Sequence, residues 1–348
     1  MRRFSLRTLI LGALFAGATL LLLQFLPSWV LQNSFLLSSG ATSACYREND
    51  FVVACRNGDI LRIETSGALS LLRSGKDDQC YVTAIDIEVD HLFLGFNDGR
   101  VSRLQASGEV ESLGCHESTI TKIKAILPLD IVITAGRDGV LKIWEMHTGV
   151  LVRSISAHSH WLMDFEVIDK KDVITASKNG VVSFWSLTTG ERISSISFGD
   201  AVEVLGLAPI GDGNFAAGLS TGEIAIVNTK GLVSRRRVSG SPIFKLKMLS
   251  KDRLMAFFWP NEVQVLTPPS CNVVAKMGFG SNALDVLAVS HDAFIVASSK
   301  SIKLYKRVHA EEWYGVFVGV PFMVFFLLLT CLLSSVWHDW RRFRTAQG

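Results

Sequence analysis

The chain has 348 residues, long enough for one large β domain with additional segments, and a formal net charge of +3. Arg2, Arg3, Arg7, Arg341, Arg342 and Arg344 supply that excess from the two ends; taking these six from the 35 basic residues, and Asp339 from the 32 acidic ones, leaves 29 against 31. The remainder is near neutral, which removes the electrostatic footprint of a nucleic-acid binder, and the cysteines show no CxxC or Cys/His spacing suited to a metal.

In chain order, residues 8–46 carry no charge and Leu9–Leu26 is almost wholly apolar. That suffices to cross a hydrocarbon core of about 30 Å at about 1.5 Å per residue. Residues 1–28 therefore read as a short stub and an uncleaved membrane anchor. A cleaved signal peptide is the alternative, with Gly40–Ala44 as a distant small-residue site. Trp29–Ser38 is apolar enough for a strand. Cys45 and Cys55 are symmetric about a turn near Asp50, so they form either a disulfide across a hairpin or two small buried residues.

Turn residues then recur about every forty positions, a period typical of repeat folds: Arg56-Asn57-Gly58-Asp59, Asn97-Asp98-Gly99, Arg137-Asp138-Gly139, Lys178-Asn179-Gly180 and Ser220-Thr221-Gly222, with weaker copies at Pro260-Asn261 and Ser299-Lys300. An apolar or aromatic residue follows each at a fixed distance: Ile63, Leu104, Trp144, Trp185, Val227, Leu266 and Tyr305. The run before each turn is rich in β-branched and aromatic residues, the signature of strands. Asp-Gly and Asn-Gly supply the positive φ angles of tight hairpins. Seven such copies are enough to close a ring, which leaves only short, protected sheet edges. Arg235-Arg236-Arg237 falls on an expected outer strand and reads as a solvated edge rather than a phosphate site. Trp313–Trp337 is a second uncharged stretch of membrane-spanning length, followed by a basic tail.

Ile131–Gly139 leading to Trp144, and Val173–Gly180 leading to Trp185, resemble the WD40 repeat, with His116 and His158 at the place of its loop histidine. The resemblance covers roughly residues 42–308. It implies an all-β, seven-bladed propeller and a structural hydrogen-bond set of His116, Thr134, Asp138 and Trp144. The matching set in the next blade is His158, Thr175 or Ser177, and Trp185, with Asn179 in place of the aspartate. Rings of this family usually close with an N-terminal strand in the last blade. Residues 29–308 are then the propeller, 309–337 a C-terminal transmembrane helix and 338–348 a cytosolic tail.

The arginine-rich flanks place both ends in the cytosol and the propeller on the far side of an endomembrane, the endoplasmic reticulum foremost. Small residues at Gly12, Ala16, Gly315 and Gly319 suit close pairing of the two helices. Loops between third and fourth strands would then face the bilayer. The opposite face, with His116, Glu117, His158, Ser159, His160 and Trp161, would be free to bind a protein, His160 and Trp161 being the candidates there and Trp161 the first anchor. A core role is the other reading of Trp161. His158 and His160 near Asp164 read as loop histidines rather than metal ligands. Catalytic motifs are absent and no cofactor is expected. The function expected is a non-catalytic, membrane-anchored interaction scaffold or a subunit of a membrane complex. The alternative is a membrane-bound guanine-nucleotide exchange factor for a small GTPase, similar to the propellers of vesicle-coat assembly, with the ring in the cytosol.

Overall fold

The computed structural model describes residues 29–307, apart from short loops at 38, 48–49, 65, 67, 76–79, 89–90, 106, 279–282, 290–292 and 299–300. The described residues form seven four-stranded antiparallel sheets, the blades of a propeller. The first contains β2 (Ala41–Arg47), β3 (Asp50–Cys55), β4 (Ile60–Glu64) and β5 (Leu69–Arg73), and the second β6 (Val82–Glu88), β7 (His91–Phe96), β8 (Arg100–Leu104) and β9 (Val110–Cys115). The third has β10 (Ile120–Ile126), β11 (Ile131–Gly136), β12 (Val140–Glu145) and β13 (Leu151–Ser156). The fourth has β14 (Leu162–Ile168), β15 (Asp172–Ser177), β16 (Val181–Ser186) and β17 (Arg192–Ser197). The fifth has β18 (Val204–Gly211), β19 (Asn214–Leu219), β20 (Glu223–Asn228) and β21 (Gly231–Arg237). The sixth has β22 (Ile243–Ser250), β23 (Arg253–Phe258), β24 (Glu262–Thr267) and β25 (Asn272–Gly278). In the seventh, β26 (Ala283–Val289), β27 (Ala293–Ser298) and β28 (Ser301–Arg307) are joined on the outside by β1 (Trp29–Leu36).

The register explains the sequence period. Ile63, Leu104, Trp144, Trp185, Val227 and Leu266 each lie opposite an apolar residue of the preceding strand, such as Phe51, Val132 and Val173. Strand faces alternate, so this fixed register sends the same positions of every blade into the seam with its neighbour. Six such seams are continuous apolar clusters of buried residues. Phe184 and Phe215, with ring centroids 6.2 Å apart, anchor the seam between the fourth and fifth blades.

Every inner strand carries a bulge near its start. In three blades the extra residue is threonine: Thr42, Thr83 and Thr121. Each hydroxyl reaches the inner strand of the next blade, as in Thr83 to the Ile120 carbonyl at 2.7 Å and Thr121 to the Leu162 carbonyl at 2.6 Å. The bulge frees a side chain to stitch blades together that a regular ladder would point elsewhere.

Turns between second and third strands share one face of the ring, the upper face, with the connections that enter each new inner strand. Gly139 shows why glycine stands there. Its φ is +76°, and a Cβ would lie 2.1 Å from the His158 carbonyl oxygen, so a side chain would separate the third and fourth blades.

The disulfide expectation is corrected. Arg47 pairs with Asp50, and a bulge lies between Ala41 and Ser43, so Cys45 faces Val52 while Cys55 faces Ala41. The cysteines lie on opposite faces of the blade. Cys45 packs in the seam towards the second blade; Phe51 and Val53, on the Cys55 face, pack towards the seventh. Both are free thiols, and burial raises both above the ordinary thiol value, Cys55 to about 11.

Candidate interaction surface

The third blade brings its four expected residues together. His116 Nε2 lies 2.8 Å from Thr134 Oγ1, to which Trp144 Nε1 donates at 2.9 Å. His116 Nδ1 lies 3.0 Å from Asp138 Oδ2, which also accepts the Glu117 amide. A ring protonated at Nδ1 satisfies every partner: Nδ1–H donates to Asp138, and Nε2 accepts from Thr134. Burial disfavours the Asp138 carboxylate. The His116 ring and the Val140 and Glu117 amides outweigh it and hold Asp138 below the usual carboxyl value.

The fourth blade differs in one member. Thr175, the register equivalent of Thr134, lies 2.7 Å from His158 Nε2 and accepts from Trp185 Nε1 at 2.9 Å. Ser177 lies one strand repeat nearer the turn and donates instead to the Trp161 carbonyl at 3.1 Å, so the set uses the threonine rather than the serine. Asn179 Oδ1 is buried without a hydrogen-bond partner among the described residues. Burial, with the charge of Arg192, lowers the His158 pKa to about 4. The unfolded chain binds this proton near pH 6.5, so stability from this group is complete above that value and falls as pH drops towards 4. The expected loss is at most about 3 kcal/mol. Urea unfolding at several pH values checks it: His158→Gln should lower the baseline and remove this part of the slope.

On the upper face of the first six blades, the residue just before each inner strand accepts a backbone bond from the turn of its own blade, as in Arg137 to Thr119, Lys178 to Trp161 and Trp259 to Pro242, each at 2.9 Å. Trp161 occupies this rim position in the fourth blade and is 39% exposed. The core reading of it is therefore overturned. The Arg137 guanidinium lies 4.4 Å and the Lys178 ammonium 4.3 Å from its ring centroid. Glu203 lies 3.7 Å from Lys178; no carboxylate among the described residues pairs with Arg137. His160 beside it is exposed, its ring bonded to the Ser159 carbonyl. The two flanking cations recur in the sequence as the first residues of successive turns, a signal readable from the period alone.

Inside the ring, aligned inner strands assemble a charge network that spacing did not disclose. Lys122 Nζ lies 2.6 Å from Asp164 Oδ1 and 2.9 Å from Glu166 Oε1, and Lys124 Nζ 2.6 Å from Glu166 Oε2. Asp164 Oδ2 accepts the Leu207 amide of the fifth blade at 2.8 Å. Lys247, from the sixth blade, faces the same groups. Burial and the charges of Lys122 and Lys124 lower its pKa against the pull of Glu166 and Asp164.

Arg235, Arg236 and Arg237 are held by Glu223, by Ser270 and Asn272 of the next blade, and by Ser239. Arg235 meets a carboxylate, whereas Arg236 and Arg237 bond to neutral oxygens along this exposed edge. Among the described residues no group of His, Cys, Asp and Glu is arranged to hold a metal, and no helix is long and apolar enough to cross a membrane. Segments 1–28 and 309–337, with Gly12, Ala16, Gly315 and Gly319, lie outside the described residues.

The architecture is that of a seven-bladed WD40-type β-propeller. Solved structures agree. The WD40 β-propeller domain of Doa1 aligns with a TM-score of 0.69 at 17% identity, over 82% of this chain and 99% of that one. A chain of a mitotic checkpoint complex aligns with a TM-score of 0.71 at 14% identity, over 80% and 96%. The computationally designed Ika8 protein gives 0.60 at 18% identity, over 78% and 97%. At these identities the likeness shows the fold. No protein-family model matches the chain, and no curated protein matches it.

Proposed function

We propose that the protein is a membrane-anchored interaction platform whose upper face binds a protein partner through Trp161. The observation that carries this reading is the half-exposed indole flanked by Arg137 and Lys178. An aromatic residue of this kind offers a large contact area at little entropic cost. The adjacent cations, one of them without an ion partner among the described residues, favour a partner surface rich in carboxylates. A rigid ring with buried seams holds the site in place, and nothing in it depends on chemistry at the site.

The membrane part of the reading rests on the apolar segments 8–28 and 313–337 and on their arginine flanks. It places the ring on the non-cytosolic side of an endomembrane. Protease protection of sealed membranes, with a tag beside Gly231 and one at each end, tests the sidedness. Protection of the inner tag alone supports it; cleavage of the inner tag with protected ends reverses it.

Photocrosslinking tests the site. A benzophenone amino acid at His160 should give a discrete adduct, and Trp161→Ala should reduce its yield sharply, because an aromatic anchor is worth about 2 kcal/mol, or roughly thirtyfold in affinity. The Trp161 backbone bonds do not involve its side chain, so the ring stays folded. Adducts unchanged by the substitution would overturn the assignment.

A further inference from the structure

The outer strands of the first six blades each expose an aliphatic side chain within their first three positions: Leu71, Val110, Val152, Ile193, Val233 and Val274. Val152 and Val233 are 57% exposed and Leu71 56%. The same strands end at Arg73, Cys115, Ser156, Ser197, Arg237 and Gly278, which are polar or small. Each outer strand begins just after the turn from the third strand, on the lower face. The aliphatic groups therefore form a belt around the lower edge, while the exposed side chains in the upper half of the outer strands are polar or small apart from Leu72 of the first blade. Singly exposed aliphatic residues need no explanation, but a gradient repeated in one direction on five blades, the second to the sixth, does.

The chain itself points to what covers this belt. Four residues separate Leu36 from Ala41, so β1 ends on the upper face, where inner strands begin, and starts on the lower one. It opens with Trp29-Val30-Leu31. β28 is a third strand and runs downwards to Arg307. Both apolar segments of the sequence are thus joined to the ring at the edge that carries the belt.

We propose that the lower edge of the ring rests in the interfacial layer of a lipid bilayer, with the aliphatic belt immersed among head groups and upper acyl chains. The inference rests on the membrane-anchored reading above and adds a second contact to it. Charged residues of both signs occupy the lower turns, among them Asp169, Lys170, Lys171, Asp212, Lys251 and Asp252, so the contact draws on apolar burial and needs no anionic lipid.

The test uses the full chain in phosphatidylcholine vesicles that contain a nitroxide lipid labelled near the head group. Cys80, Cys115 and Cys331 are replaced, and an environment-sensitive fluorophore is attached at Val152→Cys or Val233→Cys on the lower half, or at Ser156→Cys or Arg237→Cys on the upper half of the same strands. Alkaline extraction of the same vesicles reports anchoring separately. Blue-shifted emission and several-fold stronger quenching at the lower positions are the expected result. Chain retained after extraction with equal, water-like signals at both halves overturns the belt and leaves the anchor standing. Chain lost on extraction overturns both. Lower probes that are shielded but not quenched by the nitroxide lipid overturn the lipid assignment in favour of a protein covering the edge.

Discussion

Glu166→Gln is expected to destabilise the propeller by about 3 kcal/mol, because breaking a buried charge pair leaves its partners uncompensated. Burial works against the Glu166 carboxylate, but Lys122, Lys124 and Lys247 together hold it well below the ordinary carboxyl value. The amide would leave Lys124 without its partner and Lys247 facing two ammonium groups. Lys122 keeps Asp164 and the Phe165 carbonyl, 2.7 Å away, and the lysines retain contact with water, which sets the figure at the lower end of the range for buried pairs. Equilibrium unfolding in urea reads the loss directly. The cost should shrink in a Lys247→Gln background, where one unbalanced charge is already gone. Undiminished cost there would show that hydrogen bonding rather than charge balance governs the network. The stability linked to Glu166 is complete above the unfolded carboxyl value near pH 4.3 and declines as pH falls below it.

Phe184→Ala should cost about 3–5 kcal/mol, the range for removing a buried ring. Phe184 is fully buried between the fourth and fifth blades against Phe215, Val204 and Leu207. The strands that frame it cannot collapse into the space without breaking register across two sheets. Calorimetry should show a fall of the melting temperature by roughly 2–4 °C per kcal/mol for a domain of this size. Val152→Ala, on the exposed edge, should change stability by less than about 0.5 kcal/mol in detergent. A comparable loss in both variants would contradict the seam as the seat of stability.

The period, the seven blades and the second strand of every blade were legible because the copies repeat the same local demands: a β-branched run, in five of them a turn with positive φ, and an apolar residue in register. The His116 set was legible only through the resemblance of the third copy to the WD40 repeat. Thr175 and Ser177 were harder to separate, since both point to one face of β15 and only the register with β16 distinguishes them. The Cys45–Cys55 symmetry misled because pairing starts at Arg47 and Asp50 and a bulge shifts the strand beyond Ser43. The channel network was out of reach: Lys122 and Asp164 are 42 positions apart and meet only when inner strands of neighbouring blades align. The same holds for Arg153, whose guanidinium reaches the Thr188 and Thr189 carbonyls of the following blade.

The seventh blade also sets an order of events during synthesis. β1 emerges first, yet its neighbour β28 lies some 265 positions later. At roughly 5–20 residues per second, tens of seconds pass between the two on the ribosome. Six blades can pair internally as they appear, whereas β1 waits with its backbone donors and acceptors unused. Nascent chains therefore carry a sticky, apolar strand for most of their translation time, and pairing with β28 is the step at which that hazard ends.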